Sequence, residues 1–122
     1  MINNHNKSLL RNKMIYCAKQ GITIGYHELC KSIGLCINFE NDADKSDLST
    51  ILGSISEEEN LQGRPLLSVV VVKINKEPQM PGQGFFNMAK SQRKYNGSNN
   101  RDDQFVYFIK EFNAAKEYWK NN

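Results

Sequence analysis

The chain has 122 residues, 39% apolar and 24% charged, with 16 basic and 13 acidic side chains for a formal net charge of +3. That size suits one domain around one core, and the composition is globular rather than disordered. No apolar run approaches the ~20 residues of a membrane span, and MINNHNKSLLRNK at the N-terminus has no apolar stretch leading to a cleavage site, so a cytoplasmic protein with no membrane partner is expected.

The first helix is expected from about Ser8, as N-cap, to Gln20, with Leu10, Met14 and Cys17 on one face and Gly21 as its stop. A short extended piece, ITI, leads to GYHELCKSIGL, a second short helix with Leu29 and Ile33 inward and Tyr26 one turn before them. INFENDA is a polar loop. A third helix starts near Asp44, which with Asp47 resembles a capping pair, and it buries Leu48, Ile51, Leu52 and Ile55. Gly53 inside that helix lowers its propensity by about 1 kcal/mol relative to Ala, a reason to expect close helix packing there.

PLLSVVVVKI reads as a strand covered on both faces, because four consecutive Val disfavour a helix. NKEPQMPGQG is a loop, since Pro78 and Pro81 cannot extend a ladder and Gly82 and Gly84 permit tight turns. FFNMAKSQRK is the fourth helix. A last one starts at Asp102 or Asp103, with Phe105, Phe108, Ile109, Phe112 and Trp119 as its apolar stripe. The fold class is therefore α+β and mostly helical: a winged-helix-like three-helix unit (8–63), a strand and wing-like loop (64–86) forming a small β-sheet, and two C-terminal helices (87–122).

IGYHELCKSIG resembles the Tyr-Gly-Glu-Leu-Ala helix of alkylguanine–DNA alkyltransferases and their alkyltransferase-like relatives; SDLSTILGSI is similar to their recognition helix and RPLLSVVVV to their Pro-containing strand. The resemblance spans about residues 22–86. It implies a winged-helix fold and places Tyr26 beside a target phosphate, with Thr50 nearest the position of the family's base-replacing arginine. It does not carry the chemistry over, because the strand lacks the alkyl-accepting Cys and neither Cys nor His follows Cys36. The PLLS and PGQGFF segments are also similar to small bacterial proteins, which adds no role.

Three cysteines, Cys17, Cys30 and Cys36, without a close pair, argue against disulfides and zinc; Cys17 and Cys30 fit a core as small apolar side chains. Asp42, Asp44 and Asp47 lack the Gly and final Glu of a calcium loop, and MPGQGFF lacks the Lys-Ser/Thr of a P-loop. Glu57 to Glu59 read as a solvated run. Ser68 with His27 is a weak nucleophile pair, and Ser68 suits a backbone-bonding role better. No catalytic residue, metal ligand or cofactor is assigned.

The basic residues are more informative. Arg64, Lys73 and Lys76 flank the strand and wing, and Lys90, Arg93, Lys94 and Arg101 follow. Phosphate contacts need such side chains on one face. Lys45, Ser49 and Thr50 are polar groups of the third helix able to reach a base or phosphate without a strong bidentate base contact, and Asp44 and Asp47 nearby repel phosphate. The expected function is non-catalytic nucleic-acid binding with weak sequence preference, through Tyr26, Lys45, Ser49, Thr50, Arg64, Lys73, Lys76, Lys90, Arg93 and Lys94. The alternative is a protein–protein module, an adaptor or inhibitor, and a small hydrolase or nuclease is a third class.

Overall fold

The structure, a computed structural model, describes residues 2–122. Five α-helices surround a buried central segment: α1 (Asn4–Gln20), α2 (Tyr26–Ser32), α3 (Asp42–Leu61), α4 (Gln83–Ser91) and α5 (Arg101–Lys120). Two short parallel strands, β1 (Ile24–Gly25) and β2 (Val71–Val72), pair Ile24 with Val71 and Gly25 with Val72. The chain is thus mostly helical with a small sheet, as the sequence implies.

Three of the five helices start at an asparagine side-chain cap. Asn3, not Ser8, begins α1: its Oδ1 accepts from the Asn6 N–H at 2.8 Å. Ser8 is instead an exposed position on the helix surface. Asn41, not Asp44, caps α3 by accepting from the Asp44 N–H at 3.0 Å, and Asp44 turns back to accept from the Asn38 N–H. Asn100 caps α5 through the Asp102 N–H. Asn is as good an N-cap as Asp or Ser. At the end of α1, Gly21 adopts the left-handed conformation at φ 67° and returns its N–H to the Ala18 and Cys17 carbonyls.

The expected ten-residue strand is only partly a strand. Leu66 to Val72 are all buried, yet Leu67–Val70 form a 3₁₀ turn and only Val71–Val72 enter the sheet. The partner explains this. β1 stops where Tyr26 enters α2, so two residues are all the ladder can hold. The rest must satisfy its backbone otherwise: the Val69 N–H reaches the Leu66 carbonyl, the Ser68 N–H reaches Ser56 Oγ at 2.9 Å, and the Leu66 N–H reaches Glu111 Oε2 at 2.7 Å. α1, α3 and α5 pack around this turn.

Those polar anchors also rotate α5. Its buried face is Gln104, Tyr107, Phe108, Glu111, Ala115 and Trp119. Of the expected stripe, Phe108 and Trp119 are buried, Phe105 and Phe112 half-buried, and Ile109 is 41% exposed. The carboxylate of Glu111 must face inward to meet Leu66, which turns the neighbouring positions outward. α4 begins two residues before Phe85 and ends at Ser91, so Lys94 lies beyond it, and Arg93 takes a left-handed φ of 60°. Lys90, Arg93 and Lys94 therefore do not share one helix face, as a longer helix would have placed them.

Candidate functional site

The parallel register builds the site. Gly25 lies opposite Val72, so the next residues, Tyr26 and Lys73, leave the sheet side by side. The Lys73 N–H donates to the Met80 carbonyl at 3.0 Å and closes the loop 73–80. Tyr26 Oη accepts the Gly82 N–H at 3.0 Å and fixes the start of α4. The stem of Lys73 crosses Gly82: a methyl there would lie 3.1 Å from Lys73 Cε. On the other side α3 closes in, with Ser49 Oγ 3.0 Å from where a Gly84 methyl would sit.

Three clefts meet at Lys73. One, about 420 Å³, lies between α3 and the start of α4 and is lined by Tyr26, Phe39, Lys45, Ser49, Lys73 and Gln83 among others. A second, about 220 Å³, gathers Lys73, Lys76 and Arg101 with Gln83 and Gln104 against Pro78. A third, about 390 Å³, includes His27, Phe39, Ile74 and Asn75, with the His27 and Phe39 rings 5.5 Å apart. No carboxylate lines any of the three. Among the described residues, Lys73, Lys76 and Arg101 form no ion pair, while Lys45 reaches only the exposed Asp42 at 3.5 Å. Burial pushes the Tyr26 phenol above its ordinary value, with the Gly82 N–H opposing weakly, so its proton stays on at neutral pH. The hydroxyl that accepts from Gly82 thus still has an O–H to donate.

Of the ten residues picked from the sequence, Tyr26, Lys45, Ser49, Lys73 and Lys76 line these clefts. Lys90 is linked to them: its Nζ donates to Asn99 Oδ1 at 3.0 Å, and Asn99 also accepts from Gln83. Thr50 is exposed and turned ~100° from Ser49 around the helix. Arg93 is exposed and lines none of them.

Arg64 and Lys94 serve the core instead. Arg64 Nε bonds Glu59 Oε1 at 2.7 Å, and Lys94 Nζ lies 3.4 Å from Glu111 Oε2. Glu59 is therefore no solvated acid. It is 1% exposed and also takes Arg11 Nε at 2.9 Å. Arg64 lines none of the three clefts that Lys73 joins. The sequence reading passed over Gln83 and Phe39; an aromatic in the otherwise polar loop INFENDA was the available signal for Phe39.

The nucleophile candidates point away from catalysis. Ser68 Oγ is 2.6 Å from Ser56 Oγ inside the core, while His27 is exposed beside Phe39. Burial raises the Cys17 thiol, and raises that of Cys30 to about 11, which suppresses the reactive thiolate. Among the described residues no three His, Cys, Asp or Glu side chains gather as metal ligands, and no helix is long and apolar enough to cross a membrane. No family model matches the chain, and no curated protein or solved structure does.

Proposed function

We propose that the chain is a non-catalytic nucleic-acid-binding protein with weak sequence preference, and that it binds through the clefts around Lys73. The observation that carries this reading is the convergence of Lys45, Lys73, Lys76 and Arg101, from three separate segments, on clefts without a single carboxylate in a chain that has 13 acidic residues. Phosphates are held by such cations and by hydroxyls such as those of Ser49 and Tyr26. In this reading the lysines and Arg101 are spent on phosphates, and the Gln83 amide is already bonded to Asn87, Asn99 and Gln104, so few groups are left for bidentate base contact, hence the weak preference. In this reading α3 stands where a winged-helix protein carries its recognition helix, and the 73–80 loop stands in the place of the wing. Alkyl transfer is not part of it, because no Cys follows Cys36.

The test is affinity for duplex DNA, single-stranded DNA and RNA as salt is varied. A log–log slope of about −3 to −4, near one unit per phosphate contact, supports it; no binding at ~50 mM salt rejects it. A second reading, a protein-interaction module, rests on Val106 and Ile109, which lie one turn apart on α5 and are 68% and 41% exposed.

A further inference from the structure

We propose that the cleft of Lys73, Lys76 and Arg101 holds the phosphomonoester at the end of a single nucleic-acid strand, with the terminal nucleotide lying on the Phe39 side of Lys73. This rests on the nucleic-acid reading and specifies its ligand.

Charge comes first. A phosphomonoester carries about −1.5 to −2 at pH 7 and three acceptor oxygens, whereas each phosphodiester within a strand carries one negative charge. Three cations from two segments converge on this one cleft, and among the described residues none of them forms an ion pair with a carboxylate. Gln83 and buried Gln104 form a fixed edge of the cleft: Gln104 Nε2 donates to Gln83 at 3.0 Å, and Gln83 in turn donates to Asn87 and Asn99.

Shape comes second. This is the most enclosed of the three clefts around Lys73, walled by Pro78, Met80 and Pro81. The inside of a strand must enter and leave a site at two ends, while a terminal phosphate needs one entrance. Across Lys73 the surroundings change character: the neighbouring clefts are mainly apolar and carry Phe39, with His27 at 5.5 Å. Aromatic faces beside cations are how single-stranded bases are held, since each base offers a π-face. Tyr26, which keeps its proton, lines the same junction and has an O–H left to donate.

The experiment is isothermal titration calorimetry of the full chain with one single-stranded 8-mer in three forms: 5′-phosphorylated, 3′-phosphorylated and hydroxyl at both ends. One phosphorylated form is expected to bind about tenfold tighter than the hydroxyl form, the scale of one additional charge-assisted hydrogen bond. Arg101→Ala and Lys76→Ala should each bring that strand down toward the affinity of the hydroxyl form, and Arg101→Lys should retain most of the preference. Equal affinity for all three forms overturns the inference and leaves nucleic-acid binding standing. Competition by AMP as strong as by the phosphorylated 8-mer assigns the cleft to free mononucleotides and overturns the strand-end assignment. If no form binds at ~50 mM salt, the nucleic-acid reading falls and this inference with it.

Discussion

Arg64 and Glu59 meet twice. The Arg64 guanidinium donates to Glu59 Oε1 at 2.7 Å, and the Arg64 N–H donates to the Glu59 backbone carbonyl at 2.9 Å, so the turn that ends α3 is bound to the carboxylate it covers. Arg11 completes the arrangement from α1. Glu59→Gln is expected to lower stability by about 1–3 kcal/mol, less than the 3–5 of a fully buried pair, because the two arginine side chains remain 25% and 36% exposed and can be hydrated. Chemical denaturation of parent and variant at neutral pH measures it, and coincident curves would dismiss the carboxylate as a staple.

The same residue sets a pH dependence. Burial alone would raise the Glu59 carboxyl, but hydrogen bonds from Arg11 and Arg64 outweigh it and hold the group below its ordinary 4.5. Glu58 is lowered too, chiefly by its hydrogen bond from Lys7. A carboxyl depressed in the folded state binds fewer protons there than when unfolded, so its stabilisation is complete above 4.5 and is lost as pH falls through the folded value. Thermal melts from neutral pH down to about 3 should show the parent losing stability below 4.5 and Glu59→Gln losing less. Equal acid sensitivity of the two would locate the effect elsewhere.

Ser56 and Ser68 differ in what their removal leaves behind. Ser56 Oγ accepts the Ser68 N–H and bonds Ser68 Oγ, so Ser56→Ala strands a buried backbone donor and should cost about 1–3 kcal/mol. Ser68→Ala keeps its N–H bonded to Ser56 and should cost about 1 kcal/mol or less. The urea midpoints of the two variants, at equal m-value, give the order; a reversed order would contradict the assigned roles.

Gly53 was expected to let another backbone approach closely, and the closest approach falls elsewhere. A methyl at Gly53 would meet Met88 Cγ at 3.8 Å, an ordinary contact, whereas the tight spot between α3 and α4 is Gly84 against Ser49. Gly53→Ala should therefore stabilise the chain by about 0.5–1 kcal/mol through helix propensity. A lower melting temperature would mean that the space at Gly53 is already taken.

Local signals made much of the fold readable. The Leu10–Met14–Cys17 stripe, the Gly21 stop and the order of five helices follow from periodicity and caps that act within a few residues. What escaped depends on distant partners. The length of β2 is limited by β1, nearly fifty residues earlier, and the orientation of α5 by a bond from Leu66, 45 residues before Glu111. The site divides the same way. Tyr26 is marked by the resemblance of its helix, Lys45 and Ser49 as polar groups of the third helix and Lys73 as a cation of the wing-like loop, and they come together. Arg64 and Lys94 look identical to them in sequence, and only the fold reveals the buried carboxylates that hold them.

That division gives the test of the binding face. Lys45 and Lys73 lie on the clefts, while Arg64 and Lys94 neutralise Glu59 and Glu111. On the proposed reading, replacing Lys45 and Lys73 by Ala removes two phosphate contacts, so binding should weaken by a similar factor for every sequence tried and the salt slope should fall by ~2. Stability should change by no more than ~0.5 kcal/mol, since Lys45 and Lys73 are exposed and neither is paired with a buried carboxylate. Arg64→Ala and Lys94→Ala should do the opposite. Each uncovers a carboxylate held in the core and lowers the melting temperature, while the folded protein keeps the parent's salt slope. If Arg64→Ala and Lys94→Ala lower the slope as much as Lys45→Ala with Lys73→Ala, the contact surface is spread over the whole basic set and the clefts around Lys73 are not the site.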